Sequence, residues 1–225
     1  MGGKLIEADQ LKNVDQITDK SVNNKLHRSF KYYFIPINTP ADGNCMWHMI
    51  SRSLCGDVSL TCFLKNFTSI TLLILKSQFF DIIYQNLKSN NIELSHNELI
   101  GKTNIKFDEL VYSSKTKGQW GNEYHLLALS TFLSTKIYIF NFFDKNFSDE
   151  EFMNDFKEDN RNNNTGLHLK YTPIKNCAFT SSVKQCVIYG HYNSGDNNQH
   201  YSSLILREKN DIFEPKTNLF QEFCI

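Results

Sequence analysis

Residues 40–54 read PADGNCMWHMISRSL. Asp42, Gly43 and Asn44 are turn formers. Directly after Cys45, apolar residues recur at Met46, Met49, Ile50 and Leu54, the spacing of one helix face. Gly56 and Asp57 then stop the helix. A polar turn must therefore deliver the chain straight into a buried helix, with a cysteine at the junction. Cys45 is either a small apolar filler or a group that the turn makes reactive. The first turn of a helix presents unpaired N–H groups and the positive end of the dipole, and both lower the pKa of a thiol. Gly43 permits a backbone angle that lets successive N–H groups converge into an anion-binding nest.

The rest of the chain places this junction in a fold. Residues 1 to about 28 are polar and read as an arm or a short helix. YYFIPINTPADG (32–43) reads as an extended segment running into a loop. A second helical region, with an interruption, spans about Leu60 to Lys88, with Leu72, Leu75, Phe79, Ile82, Ile83 and Leu87 on one face. SNNIELSHNELIGKTN (89–104) reads as loop-rich, with a short helix at FDELVYSS. GQWGNEYHLLALSTFL (118–133) gives a Gly-flanked turn and a helix, and KIYIFNFF (136–143) a buried strand. Residues 144–166 are polar and Asn-rich and read as an inserted loop. LHLKYTPI, KQCVIYGHY and HYSSLILRE read as strands, the last two joined by the turn NSGDNNQ. Helices come early and strands late, so the class is α+β, a mixed α/β sandwich.

Lys plus Arg and Asp plus Glu are both 24, so charge gives no reason to expect nucleic acid or an anionic membrane surface as partner. The start has no apolar stretch of signal length, and ITLLILKSQFF is short for a membrane span and broken by Lys76. Six cysteines form no C-x-x-C pair, and the histidines lack zinc spacing, so no metal or organic cofactor is expected. Cys55, Cys62, Cys177, Cys186 and Cys224 read as reduced core fillers, and Trp47 as core. Trp120 either lines a cleft or packs.

A reactive Cys45 needs an imidazole. His48 lies one turn away on the same helix and would have to bend back, so it reads as structural or surface. His125 reads as packed or solvated. His191 and His200 remain, each followed by tyrosine. His200 opens an alternating strand and is favoured as the base. His191 ends a strand and reads as a hairpin-edge residue.

DGNCMWHMISRSLCG, WGNEYHLLALSTFLSTKIYIF and HYSSLIL, in this order, resemble the ovarian tumour (OTU) family of cysteine proteases, over roughly residues 30–208. The resemblance implies a papain-related fold with a small central sheet flanked by helices. It divides the chain into an arm (1–29), a catalytic domain (30–208) and a tail (209–225). It implies hydrolysis of isopeptide bonds at the C terminus of ubiquitin or a ubiquitin-like modifier, with Cys45 as nucleophile, His200 as general base and Asp42 as the acid of the turn. Backbone N–H groups of Asp42, Gly43, Asn44 and Cys45 would form the oxyanion hole. Asp42 can serve either directly or by fixing the loop. Many family members carry Asp or Asn two residues after the histidine; here that position is Ser202. A hydroxyl accepts the ring N–H but does not stabilise imidazolium as a carboxylate does. Ser202, Asn193 and Asp196 are candidates for the third member. The substitution keeps open an alternative, a catalytically inactive ubiquitin-binding module. Expected partners are ubiquitin or ubiquitin-like conjugates, with no nucleic acid or membrane, for a monomer in the cytoplasm.

Overall fold

The computed structural model describes residues 18–26, 31, 34–90, 93–140, 168–174, 187–193 and 200–207. The expected insert at 144–166, the turn at 194–199 with Asp196, residues 1–17, the tail from 209, and Cys177, Cys186 and Cys224 lie outside them. Helix α1 (Lys20–Lys25) is capped by Asp19 and precedes strand β1 (Phe34–Ile37). Five helices follow: α2 (Cys45–Cys55), α3 (Thr61–Ile74), α4 (Lys76–Asn90), α5 (His96–Lys115) and α6 (Glu123–Leu133). Then come β2 (Lys136–Phe140), β3 (His168–Tyr171), β4 (Val187–Asn193) and β5 (His200–Leu206).

The strands form one sheet in the order β1-β5-β4-β2-β3. Among the described residues only the β2–β4 pair is parallel. Strand alternation gives the sheet two apolar faces. On one, Ile137, Ile139, Ile188 and Tyr201 pack under α2 through Met46, Trp47, Met49 and Ile50. On the other, Phe34, Phe140, Tyr189 and Leu204 receive Val22 and Leu26 from the α1 segment. Gly190 lets α2 lie close on the sheet, since a Cβ there would stand 2.1 Å from the Met49 sulfur. A separate cluster of Leu72, Leu75, Phe79, Ile83, Phe107, Leu110, Tyr124 and Ala128 joins α3 to α6. The expected α+β class, a small sheet with helices on its faces, is the observed one.

Three expectations differ from the structure. Helix α5 runs through the segment read as loop. Its Ser95–Glu98 capping box is legible, but its buried face is Leu99, Thr103, Phe107, Leu110 and Ser114, so two polar residues dilute the apolar stripe. Thr103 tolerates burial because its hydroxyl donates to the Leu99 carbonyl at 2.7 Å. His191 is not a hairpin-edge residue. It is 1% exposed, paired with Ser202 on one side and Phe140 on the other. Nor are Cys55 and Cys62 core fillers: the first is half-buried and the second exposed. Helices α3 and α4 meet at 84°, and among the described residues no single helix is long and apolar enough to cross a membrane.

His125 is buried in the first turn of α6. Its Nδ1 accepts the Asn122 N–H at 3.0 Å, and its Nε2 lies 3.0 Å from the Leu110 carbonyl. Trp47 meets the ring edge-on. Burial depresses the imidazolium, and the pKa falls from 6.5 to about 4. A histidine depressed by folding contributes stability in full above its unfolded pKa, and that contribution is lost as pH falls toward the folded value. His125 should therefore cost the fold about 2 kcal/mol between pH 6.5 and pH 5. Its ring should titrate near 4 by NMR, while denaturant midpoints fall over that same window.

Candidate active site

The turn before α2 is held from three sides. Gly43 has φ +82°, and a Cβ on it would stand 2.1 Å from the Gly118 carbonyl oxygen, so both the angle and the close approach demand glycine. Asp42 Oδ1 accepts the Asn44 N–H at 2.9 Å and lies 3.0 Å from His48 Nε2. His48 Nδ1 in turn meets the Thr61 hydroxyl at 2.7 Å. Asn44 Oδ1 accepts from the Lys65 ammonium at 2.8 Å and from the Gly118 N–H at 3.3 Å. Burial raises the Asp42 carboxyl, but the Asn44 amide and His48 outweigh it, and the net shift is downward. Asp42 thus fastens the loop. His48, read as structural, is the buried ring it fastens to.

This geometry narrows the expected oxyanion donors. The Asn44 N–H already donates to Asp42, so that amide leaves the set of four and Asp42, Gly43 and Cys45 remain. Around the Cys45 sulfur, the N–H groups of Tyr201, Met46 and Cys45 itself favour the thiolate, but burial outweighs them and the Asp42 charge opposes it, so the thiol is pushed up. The expectation of a thiol lowered by the helix end is overturned: desolvation wins.

His200 opens β5, and the residue after it, Tyr201, points its amide at the Cys45 sulfur. The His200 ring meets Thr39, whose Oγ1 lies 3.1 Å from Nε2. The same Oγ1 donates to the Tyr201 carbonyl. With its only proton used there, Thr39 must accept from Nε2–H, and the lone pair of the neutral ring sits on Nδ1. Burial lowers the imidazolium, Asp19 raises it and His48 lowers it further, for a net downward shift. Thiol and ring therefore both rest neutral, and among the described residues no hydrogen bond joins them.

Ser202 does not take the ring. Its hydroxyl donates to Asp19 Oδ2 at 2.7 Å. Asn193 lies across from His200 in the β4–β5 pairing. Thr39, Lys65 and Asp19 were missed at the level of sequence. Lys65 alone carried a signal, a lysine on the buried face of α3 beside Leu64, Thr68 and Leu72. Trp47 is fully buried and Trp120 is 49% exposed, close in sequence to Gly118.

Residues 36–172 match the family described as Vertnin, OTU domain. The chain belongs to this OTU domain family. The matched span contains Cys45 and ends before β4, so His200 falls outside it. None of the curated proteins compared by sequence matches this chain. Solved structures to which the chain shows similarity include the viral OTU domain protease from Farallon virus, at 16% identity and a TM-score of 0.47, covering 79% of this chain and 86% of that one. The Hazara virus OTU bound to ubiquitin gives 14% and 0.46, covering 80% and 86%. The OTUD1 OTU domain gives 15% and 0.45, covering 85% and 97%.

Two substitutions test the loop. Gly43→Ala should lower unfolding free energy by more than the ~1–2 kcal/mol of left-handed strain alone, because the carbonyl of Gly118 must also move. Asp42→Asn keeps an acceptor for the Asn44 N–H and should hold any Cys45-dependent turnover within about threefold of wild type. Asp42→Ala leaves that buried N–H unmet and should cost about 1–3 kcal/mol. A collapse of turnover in the Asn variant with stability unchanged would instead give the carboxylate a direct role.

Proposed function

We propose that this chain is a cysteine-type deubiquitinase. The observation that carries the reading is a juxtaposition: the His200 ring, held at Nε2 by the Thr39 hydroxyl, opens the strand whose next residue, Tyr201, turns its amide toward the thiol at the start of α2. Membership in the OTU family supports the class of chemistry, and the motif resemblance supports ubiquitin as the modifier.

In this mechanism Nδ1 of His200 takes the proton from Cys45 as the sulfur attacks the carbonyl carbon of the isopeptide bond. The oxyanion is held by backbone N–H groups of the turn, Gly43 and Cys45 foremost. Collapse breaks the C–N bond, and the imidazolium returns its proton to the departing lysine amine. Water then attacks the thioester with His200 again as base, releasing the ubiquitin carboxylate and the free thiol. No metal or organic cofactor enters these steps. The backbones of Gly43 and Gly118 meet at the site, which suits a narrow glycine-ended tail better than a bulky side chain.

Because the resting pair is neutral, the reaction needs unprotonated His200. Its pKa is depressed below the usual 6.5, so the acid limb of kcat/KM should lie below that value and activity should rise with pH through it. A limb centred above 7 would contradict this order of events.

The second reading, a module that binds ubiquitin without cutting it, is favoured by the missing hydrogen bond between thiol and ring. Ubiquitin carrying a C-terminal electrophile separates the two. Covalent capture that vanishes in Cys45→Ala, with the variant folding normally, supports the enzyme. Binding without an adduct supports the module. Loss of cleavage in His200→Ala is expected. Its retention there, with loss in His191→Ala, would reassign the base.

A further inference from the structure

The hydroxyl on the His200 ring is neutral, yet imidazolium must form during the reaction proposed above. Thr39 can orient the ring but offers little to a positive charge. The carboxylate that can do so comes from outside both the sequence motifs and the matched family span. Asp19 precedes α1, and its placement is over-determined. Its N–H donates to the Pro36 carbonyl at 2.8 Å, and Thr18 bridges to Ile37. Its Oδ1 caps α1 by accepting the Val22 N–H at 3.0 Å. Val22 and Leu26, 4% and 3% exposed, anchor the segment against Phe34, Tyr189 and Leu204. This leaves Oδ2 for Ser202, whose Oγ donates to it at 2.7 Å.

Strand alternation puts Ser202 on the same side of β5 as His200. The position two residues beyond the histidine thus holds the carboxylate by a hydrogen bond rather than bearing one. The described titratable groups around the ring are Asp19 from the segment before α1, His48 from α2 with Asp42 behind it, and the Cys45 thiol under the Tyr201 amide. Of these, Asp19 raises the imidazolium and His48 lowers it.

We propose that Asp19, held by Ser202, is the anionic positioning residue for His200, so that residues 18–26 are a working part of the catalytic site. Asp19 has no hydrogen bond to the ring. It acts through its charge and through Ser202. This inference rests on His200 being the base, and its test separates the two claims.

The full-length chain is compared as wild type, Asp19→Asn, Ser202→Ala, and the exchange Asp19→Ser with Ser202→Asp. Three readouts are used: the NMR titration of the His200 ring, the rate of ubiquitin-electrophile capture, and the denaturant midpoint. Asp19→Asn should move the His200 midpoint to lower pH and slow capture by about tenfold or more. Ser202→Ala should have the same sign and a smaller size. The exchange returns a carboxylate to the same side of β5 and should recover most of both effects. An unchanged His200 midpoint and capture rate in Asp19→Asn, with only stability reduced, would overturn the proposal and leave Asp19 a helix cap. Should Asp19→Asn fail to fold, the exchange variant decides: a wild-type-like His200 midpoint and capture rate support the proposal, and loss of both in a folded protein overturns it. If the wild type captures no ubiquitin at all, the deubiquitinase reading fails. The NMR midpoints then still show whether Asp19 sets the charge of His200.

Discussion

The ammonium of Lys65 sits inside the protein, between the Asn44 side chain and the Thr116 carbonyl, each at 2.8 Å, and 4.2 Å above the Trp47 ring. A buried cation without partners would be strongly unfavourable. Here two acceptors and an aromatic face compensate it, and the arrangement has a geometric consequence. Asn44, the residue before Cys45, is tied at once to α3 and to the loop after α5. That loop brings Gly118, whose carbonyl needs Gly43 to lack a side chain. Trp47 in turn meets His125 of α6. The helical half of the molecule thus closes on the turn through one amide side chain, and the position of Cys45 follows from it.

The sheet half closes on the same turn by a different route. Strand β5 lies between β1 and β4, and the segments on both sides of β1 in the chain supply the site. Beyond β1 comes Thr39, which bridges the His200 ring and the Tyr201 carbonyl. Ahead of β1 comes Asp19, reaching Ser202. From α2, Ser53 meets Ser203 at 2.8 Å, so consecutive residues of one strand are pinned to opposite layers. The alternation that gives the sheet two apolar faces also sorts its polar residues, with Tyr201 toward the thiol and Ser202 toward the carboxylate.

What the sequence disclosed follows the range of the interactions involved. The D-G-N-C turn, the amphipathic α2, the glycine stop and the strands KIYIF, VIYGHY and HYSSLIL are local patterns, and each was legible. Helix α5 was legible only as the short helix FDELVYSS, because Thr103 occupies a core position ahead of it and satisfies its hydroxyl within the helix, which dilutes the apolar period. His191 was misplaced because a residue near a strand end looks exposed until the strand is known to be paired on both sides. Thr39 and Asp19 carried no signal for His200 at all, being 161 residues from it in one case and visible only as a helix cap in the other. Ser202 was the one hint. A hydroxyl where the family resemblance leads one to expect Asp or Asn implies that the third group is either absent or imported, and only the fold distinguishes these.

The neutrality of the resting pair is the remaining step. Helix N–H groups and the Tyr201 amide pull Cys45 toward thiolate, yet burial prevails. Burial likewise holds His200 below its ordinary range against Asp19. Both shifts disfavour a standing ion pair between the two side chains. The same donors become worth more when a substrate carbonyl excludes water, since charge then develops in a medium where fixed dipoles count for more. In the proposed mechanism the thiolate is formed as the bond to carbon forms, and the proton moves only as far as Nδ1. A site built this way protects its cysteine from adventitious electrophiles and oxidants, which react with thiolate rather than thiol.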